Sequence, residues 1–103
     1  MRIRCGECTI HTMKVARRFV IKGRVQGVGY RYFAIRAAAQ SGVVGTVRNL
    51  PDGSVEAVAE GSDDAITEFR EALAKGPSYA DVTSVDETRL QPTGRYRGFD
   101  VVY

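Results

Sequence analysis

The chain has one histidine, two cysteines and only three lysines, and no long apolar run anywhere in its 103 residues. Cys5, Cys8 and His11 form a C-x2-C-x2-H run, which offers three soft ligands where a structural zinc site takes four. No other cysteine or histidine exists in the chain to complete it. A thioredoxin-like use of the pair requires a strand before it and a helix after it, and neither pattern surrounds it. Residues 1–12 therefore read as a flexible extension with incidental thiols, and no metal is expected. No stretch approaches the ~18 apolar residues that suggest a membrane span. The opening MRIRCGECTIHTMKVARR lacks the continuous apolar segment of a secretory signal, so the expectation is a cytoplasmic protein. Twelve of the 15 basic residues are arginine, scattered without a polybasic block. The net charge of +3 fits a solvated surface and also a site that attracts small anions or nucleic acid. Composition alone does not separate the two.

What is present suffices for one domain. A chain of this length buries a single core without disulfides or metals. Its 44% hydrophobic and 26% charged residues are ordinary for a globular protein. Val15 to Arg24 alternates with Phe19 and Ile21 on one face, the mark of a half-buried strand. Tyr30, Phe33, Ala34, Ala37 and Ala38 then recur at helical spacing, and Ser41-Gly42 ends that helix. Val43 to Asn49 and Ser54 to Glu60 read as two strands joined by Leu50-Pro51-Asp52-Gly53, a turn sequence. Ser62-Asp63-Asp64 caps a second helix carrying Ile66, Phe69 and Leu73 inward, closed by Gly76-Pro77. Asp81 to Leu90 is β-rich, and Phe99 to Tyr103 is a last apolar strand. The expected fold is α+β: a ferredoxin-like, split βαβ sandwich (βαββαβ plus a short C-terminal strand). Two helices cover one face of a mainly antiparallel sheet.

The most unusual segment is KGRVQGVGYRYF, residues 22–33, with Gly23, Gly27 and Gly29 between the first strand and the first helix. Glycine is the most unfavourable residue to order, so three in a short loop call for a reason. Amides in such a loop can turn inward around an anion, and the helix adds its own unpaired N–H groups. Arg31 stands near the helix start, where a cation opposes the dipole unless an anion lies between them. Its planar fork can grip two oxygens at once. The segment lacks G-x-x-x-x-G-K-[ST] and the third glycine of G-x-G-x-x-G. On these residues alone, an anion cradle and a plain glycine turn both remain open. Asn49, at the end of the second strand, reads either as a turn residue or as an amide that orients a water. It is no general base near neutral pH.

In combination, Gly23-Arg24-Val25-Gln26-Gly27-Val28-Gly29-Tyr30-Arg31, Gly45-Thr46-Val47-Arg48-Asn49 and Asp52-Gly53-Ser54-Val55-Glu56 resemble the acylphosphatase family. The similarity runs from about Lys14 to Tyr103, so a domain over residues 13–103 is expected. The resemblance implies the same ferredoxin-like fold and an acylphosphate phosphohydrolase that uses no metal or organic cofactor. Such an enzyme cleaves the carboxyl–phosphate bond to a carboxylate and inorganic phosphate. By motif, the amides of Val25, Gln26, Gly27, Val28, Gly29 and Tyr30 would cradle the phosphate, and Arg31 would bind it as the essential cation. Asn49 would hold the attacking water. The implied partners are a small-molecule acyl phosphate and inorganic phosphate, the latter as product and competitive inhibitor. Neither nucleic acid nor membrane is expected, and the protein is expected to be a monomer. The sequence departs from the family pattern at Gly29, where a bulky aromatic is frequent, and at Thr46, where tryptophan is frequent. The Cys5, Cys8 and His11 run is outside the pattern and inherits nothing from it.

Two other readings compete. An RNA-recognition sheet needs aromatics at alternating strand positions, whereas here glycines break the run and Tyr30, Tyr32 and Phe33 belong to the helix pattern. A noncatalytic anion-binding module would explain the loop but not a water-orienting amide at Asn49. Tyr79, Tyr96 and Tyr103 read as packing residues and Arg17, Arg18, Arg36 and Arg48 as solvated, with steering of substrate by Arg24 or Arg48 as the lesser reading.

Overall fold

A computed structural model of the chain describes residues 14–103, so the expectations for residues 1–12, including Cys5, Cys8 and His11, lie outside the described residues. The elements run β1 (Val15–Arg24), α1 (Tyr30–Ser41), β2 (Val44–Asn49), β3 (Val55–Gly61), α2 (Asp63–Lys75), β4 (Asp81–Leu90) and β5 (Phe99–Val101). One five-stranded sheet has the order β4-β1-β3-β2-β5. All neighbours pair antiparallel except β2 and β5, which are parallel. This is the ferredoxin-like α+β arrangement expected from the sequence.

The core follows from period-2 alternation in the strands and period-3.6 spacing in the helices. Phe19 and Ile21 of β1 and Val55, Ala57 and Ala59 of β3 are fully buried. They meet Ala34 and Ala38 of α1 and Ile66, Phe69 and Leu73 of α2. The Phe69 ring packs edge-on against Phe19 and Phe99, with centroids 6.0 and 5.4 Å apart. Such aromatic pairs add about 0.5–1.5 kcal/mol each beyond their burial. By the same alternation, Arg18, Val20, Glu56, Val58 and Glu60 occupy the other face of β1 and β3. None is aromatic, in contrast to the stacking platform an RNA-reading sheet presents.

Four element boundaries differ from expectation by one or two residues, each for a local reason. β3 runs one residue further, to Gly61, because Gly61 pairs with Val15. Val43 is not in β2, because its N–H donates to the Ala38 carbonyl and closes α1. Ser54 belongs to the turn, where its N–H and hydroxyl both donate to Asp52. The last strand ends at Val101, its last paired residue, opposite Val47.

The second face of β3 holds two carboxylates that are nearly inaccessible. Glu56 accepts from Arg18 at 2.5 Å and from Arg48 at 2.8 Å. Glu60 accepts from the Thr93 N–H and hydroxyl and from the Gly94 N–H at 2.8–3.0 Å, which pins the segment between β4 and β5 across the sheet. Burial opposes ionisation of both, yet these hydrogen bonds outweigh it and hold both carboxyls below their ordinary value.

Because the folded values are depressed, both groups contribute stability that is complete above the unfolded value of 4.5 and lost as pH falls through the folded values. Urea unfolding should therefore give a constant stability near neutral pH and a declining one below about pH 4.5. Glu60→Ala should lower stability near neutral pH by about 1–2 kcal/mol, water replacing part of what the exposed Thr93 and Gly94 lose, and should flatten the acid limb.

Candidate active site

Sheet register decides which parts of the chain meet. Ile21 of β1 and Asn49, the last residue of β2, both pair with Val55 of β3. The two strands flanking β3 thus reach the same level at one end of the sheet. The loop after β1 and the amide that ends β2 are placed side by side. Parallel pairing of β5 with β2 carries the chain to that same end, where the Val102 N–H donates to the Val47 carbonyl at 2.9 Å.

The loop owes its shape to two glycines. Gly27 and Gly29 have φ of +75° and +77°, while no residue other than glycine has positive φ among the described residues. Backbone of alternating φ sign directs successive N–H groups to one side, forming a nest for an anion. No atom lies within 4 Å of where a Cβ on Gly27 would stand, and only Tyr79, at 3.9 Å, approaches that of Gly29. The glycines are therefore required by conformation and not by crowding.

The helix that follows starts without protection. Gly29 is the N-cap of α1 and supplies no side-chain hydrogen bond, and the first turn has no acidic residue. At α2, by contrast, Ser62 accepts from the Ala65 N–H, and Asp63 and Asp64 face the dipole. The N–H groups opening α1 precede the first intrahelical bond, from Phe33 to the Gly29 carbonyl, so they are left without helical acceptors. The turn is nevertheless held firmly. The Tyr30 hydroxyl donates to the Leu73 carbonyl at 2.6 Å, and burial pushes its pKa up, which keeps that donor in place.

These elements enclose an open cleft of about 240 Å³ lined by Val25, Gly27, Gly29, Tyr30, Arg31, Tyr32, Asn49, Val101 and Tyr103. The Arg31 guanidinium lies 5.5 Å from the centre of the Tyr103 ring. It has no carboxylate partner among the described ion pairs. The lining includes no acidic residue. Such a site can hold a small anion by backbone N–H groups, a helix dipole and one guanidinium, with an amide beside it.

Of the residues singled out in the sequence, Val25, Gly27, Gly29, Tyr30, Arg31 and Asn49 come together in the cleft. The Val28 side chain instead packs against the core. Gln26 donates from its side chain to the Leu50 and Ser54 carbonyls, outside the lining. Arg48 is held by Glu56, and Arg24 lies near Tyr79 and Asp81. Sequence reasoning missed Tyr32, Val101 and Tyr103 as lining residues. Val101 and Tyr103 reach the cleft through the parallel pairing of β5, for which no local motif exists.

The acylphosphatase family model matches residues 17–101. The chain belongs to the acylphosphatase family. An acylphosphatase of Roseiflexus sp. strain RS-1 is 47% identical over 92 residues, covering 88% of this chain and 99% of that relative. One from Bordetella parapertussis is 46% identical over 80 residues, covering 78% and 85%. The crystal structure of acylphosphatase from Bacillus subtilis superposes with a TM-score of 0.82 at 37% identity, covering 86% of this chain and 99% of that one. The family is one of enzymes, and the chain is an enzyme of the acylphosphatase type.

Gly29→Ala tests the loop conformation directly. The variant should fold, since the space is open, but lose about 1–2 kcal/mol of stability in urea unfolding because an alanine must adopt positive φ.

Proposed function

We propose that residues 25–30 and the first turn of α1 hold the phosphoryl group of the acyl phosphate, with Arg31 as the charge-bearing ligand and Asn49 orienting the attacking water. The observation that carries this reading is the placement of Asn49 in one cleft with Arg31 and the unprotected N-terminus of α1.

The chemistry asked of these groups is modest. The water oxygen attacks phosphorus in line with the acyl oxygen. The P–O bond to the acyl group breaks, and the carboxylate leaves with the bonding pair. One water proton passes to a non-bridging phosphoryl oxygen, and Asn49 accepts a hydrogen bond from the water while it is in position. A carboxylate is a weak base and leaves with little acid assistance. Positioning and charge stabilisation are then the main contributions, as in phosphoryl transfer generally. Phosphate, the product, occupies the same cradle and competes with substrate.

Steady-state kinetics with a small acyl phosphate test the assignment. Arg31→Ala should lose phosphate inhibition and reduce kcat/KM by about a hundredfold or more, the scale of removing a donor aimed at developing charge. Asn49→Ala should lower kcat to a similar extent while the inhibition constant for phosphate stays near that of the parent. Turnover by Asn49→Ala at the parent rate would refute its role, and sensitivity of the parent to a chelator would refute the metal-free step.

A further inference from the structure

We infer that the side chain of Gln26 is a positioning residue for the hydrolysis: it sets the distance between the phosphate loop and Asn49. The inference rests on the roles proposed above for the loop and for Asn49.

The need for such a residue follows from where the sheet stops. Pairing of β1 with β3 reaches Ile21 and goes no further. Beyond a register shift after Lys22, Gly23 and Arg24 pair only with β4, on the side away from β2. The loop at residues 25–29 therefore leaves the sheet without a backbone tie to the strand that carries Asn49. Gln26 supplies that tie. Its Nε2 donates at 2.7 Å to the Leu50 carbonyl and at 2.8 Å to the Ser54 carbonyl. A primary amide has two N–H bonds, so both are satisfied. Among the described residues these are the hydrogen bonds that join the loop to the turn between β2 and β3.

The acceptor side is rigid enough to serve as a reference. The Leu50 N–H donates to the Ser54 carbonyl at 2.8 Å, and the Gly53 N–H to the Leu50 carbonyl at 3.2 Å. Asp52 accepts from both the N–H and the hydroxyl of Ser54. The Leu50 peptide directly follows Asn49, so a displacement of the loop relative to Leu50 is a displacement relative to the Asn49 amide. The loop keeps its own shape without this tie, because its two positive-φ glycines and the start of α1 define it. Loss of the tie should therefore spare phosphate binding and harm the placement of water.

Two near-isosteric variants separate this role from a merely structural one. Gln26→Met removes both donors, and Gln26→Glu sets carboxylate oxygens against the two carbonyls. In each, kcat per folded molecule, with folding measured by far-UV circular dichroism, should fall about ten- to a hundredfold, the scale of a misplacement near 1 Å. In Gln26→Met, which adds no charge beside the cradle, the inhibition constant for inorganic phosphate should stay within about twofold of the parent, since the contacts to phosphate lie in the loop and Arg31. An unchanged kcat, or a phosphate constant that weakens in step with kcat in Gln26→Met, overturns the inference. The parent itself gives an independent check by NMR: the side-chain amide protons of Gln26 should exchange with water more slowly than those of the exposed Gln40 and Gln91. Equal exchange in all three overturns it as well. If Asn49→Ala turns over at the parent rate, the mechanism beneath the inference fails. If Asn49→Ala is impaired and the Gln26 variants are not, only the inference fails.

Discussion

Val55 is the position from which both halves of the candidate active site are measured. It pairs with Ile21 on one side and with Asn49 on the other, so one residue of β3 fixes how far β1 and β2 extend. A slip of one residue in either pairing would turn the fully buried Phe19 or Val47 to the opposite face of the sheet. It would also move the Asn49 amide by about 3.3 Å relative to the loop, the rise of one strand residue. The hydrophobic effect that packs the core thus also sets the spacing of the site. Gly45 protects the same register from within β2, since a Cβ there would fall on the Val58 carbonyl of the neighbouring strand.

Charge is arranged to agree with this geometry. The buried carboxylates of the sheet lie outside the cleft and are saturated, Glu56 by two arginines and Glu60 by backbone and hydroxyl donors. The cleft itself is lined by one guanidinium and no acid, beside a helix start that no side chain caps. α2, made by the same chain, has both a serine cap and two aspartates. The missing dressing on α1 is therefore local to the site and not a habit of the sequence. On the proposed reading, the phosphoryl group takes the place that Ser62, Asp63 and Asp64 occupy at α2.

Much of this was legible from residues alone, for identifiable reasons. Strands and helices were readable wherever one face is buried, because the apolar period then has a single solution: Phe19 and Ile21 in β1, or Ile66, Phe69 and Leu73 in α2. The clustering of Gly27, Gly29 and Arg31 in one cleft was readable because they are close in sequence, and the family resemblance added Asn49 to them. What resisted reading depends on partners distant in sequence. Tyr103 reads as a packing residue until β5 is paired with β2. Gln26 reads as one loop amide among several, because the groups its side chain binds are backbone carbonyls, which carry no signature in the sequence. Ser54 looked like the first residue of a strand, and only its bonds to Asp52 reveal a turn.

The division of labour within the loop follows from these contacts. Every residue from Val25 to Arg31 has a distinct anchor or a distinct freedom. Val25 and Tyr30 are buried at either end, Val28 packs on the core between them, and Gln26 grips the neighbouring turn. Gly27 and Gly29, which alternate with these anchors, are the two positions with open space around them. A loop fastened at every second residue can keep its intervening amides turned outward without reorganising when an anion arrives. Such preorganisation is what electrostatic stabilisation of a transition state requires, since dipoles that must first reorient lose much of their effect. The entropy lost in ordering two glycines, about 0.5–1 kcal/mol each relative to alanine, is small against the burial of Val25 and Tyr30, each worth about 1.5–3 kcal/mol for a large apolar side chain. The glycines thus give the loop its shape and core packing at Val25, Val28 and Tyr30 holds it in place, so on the proposed reading the cradle exists before substrate enters it.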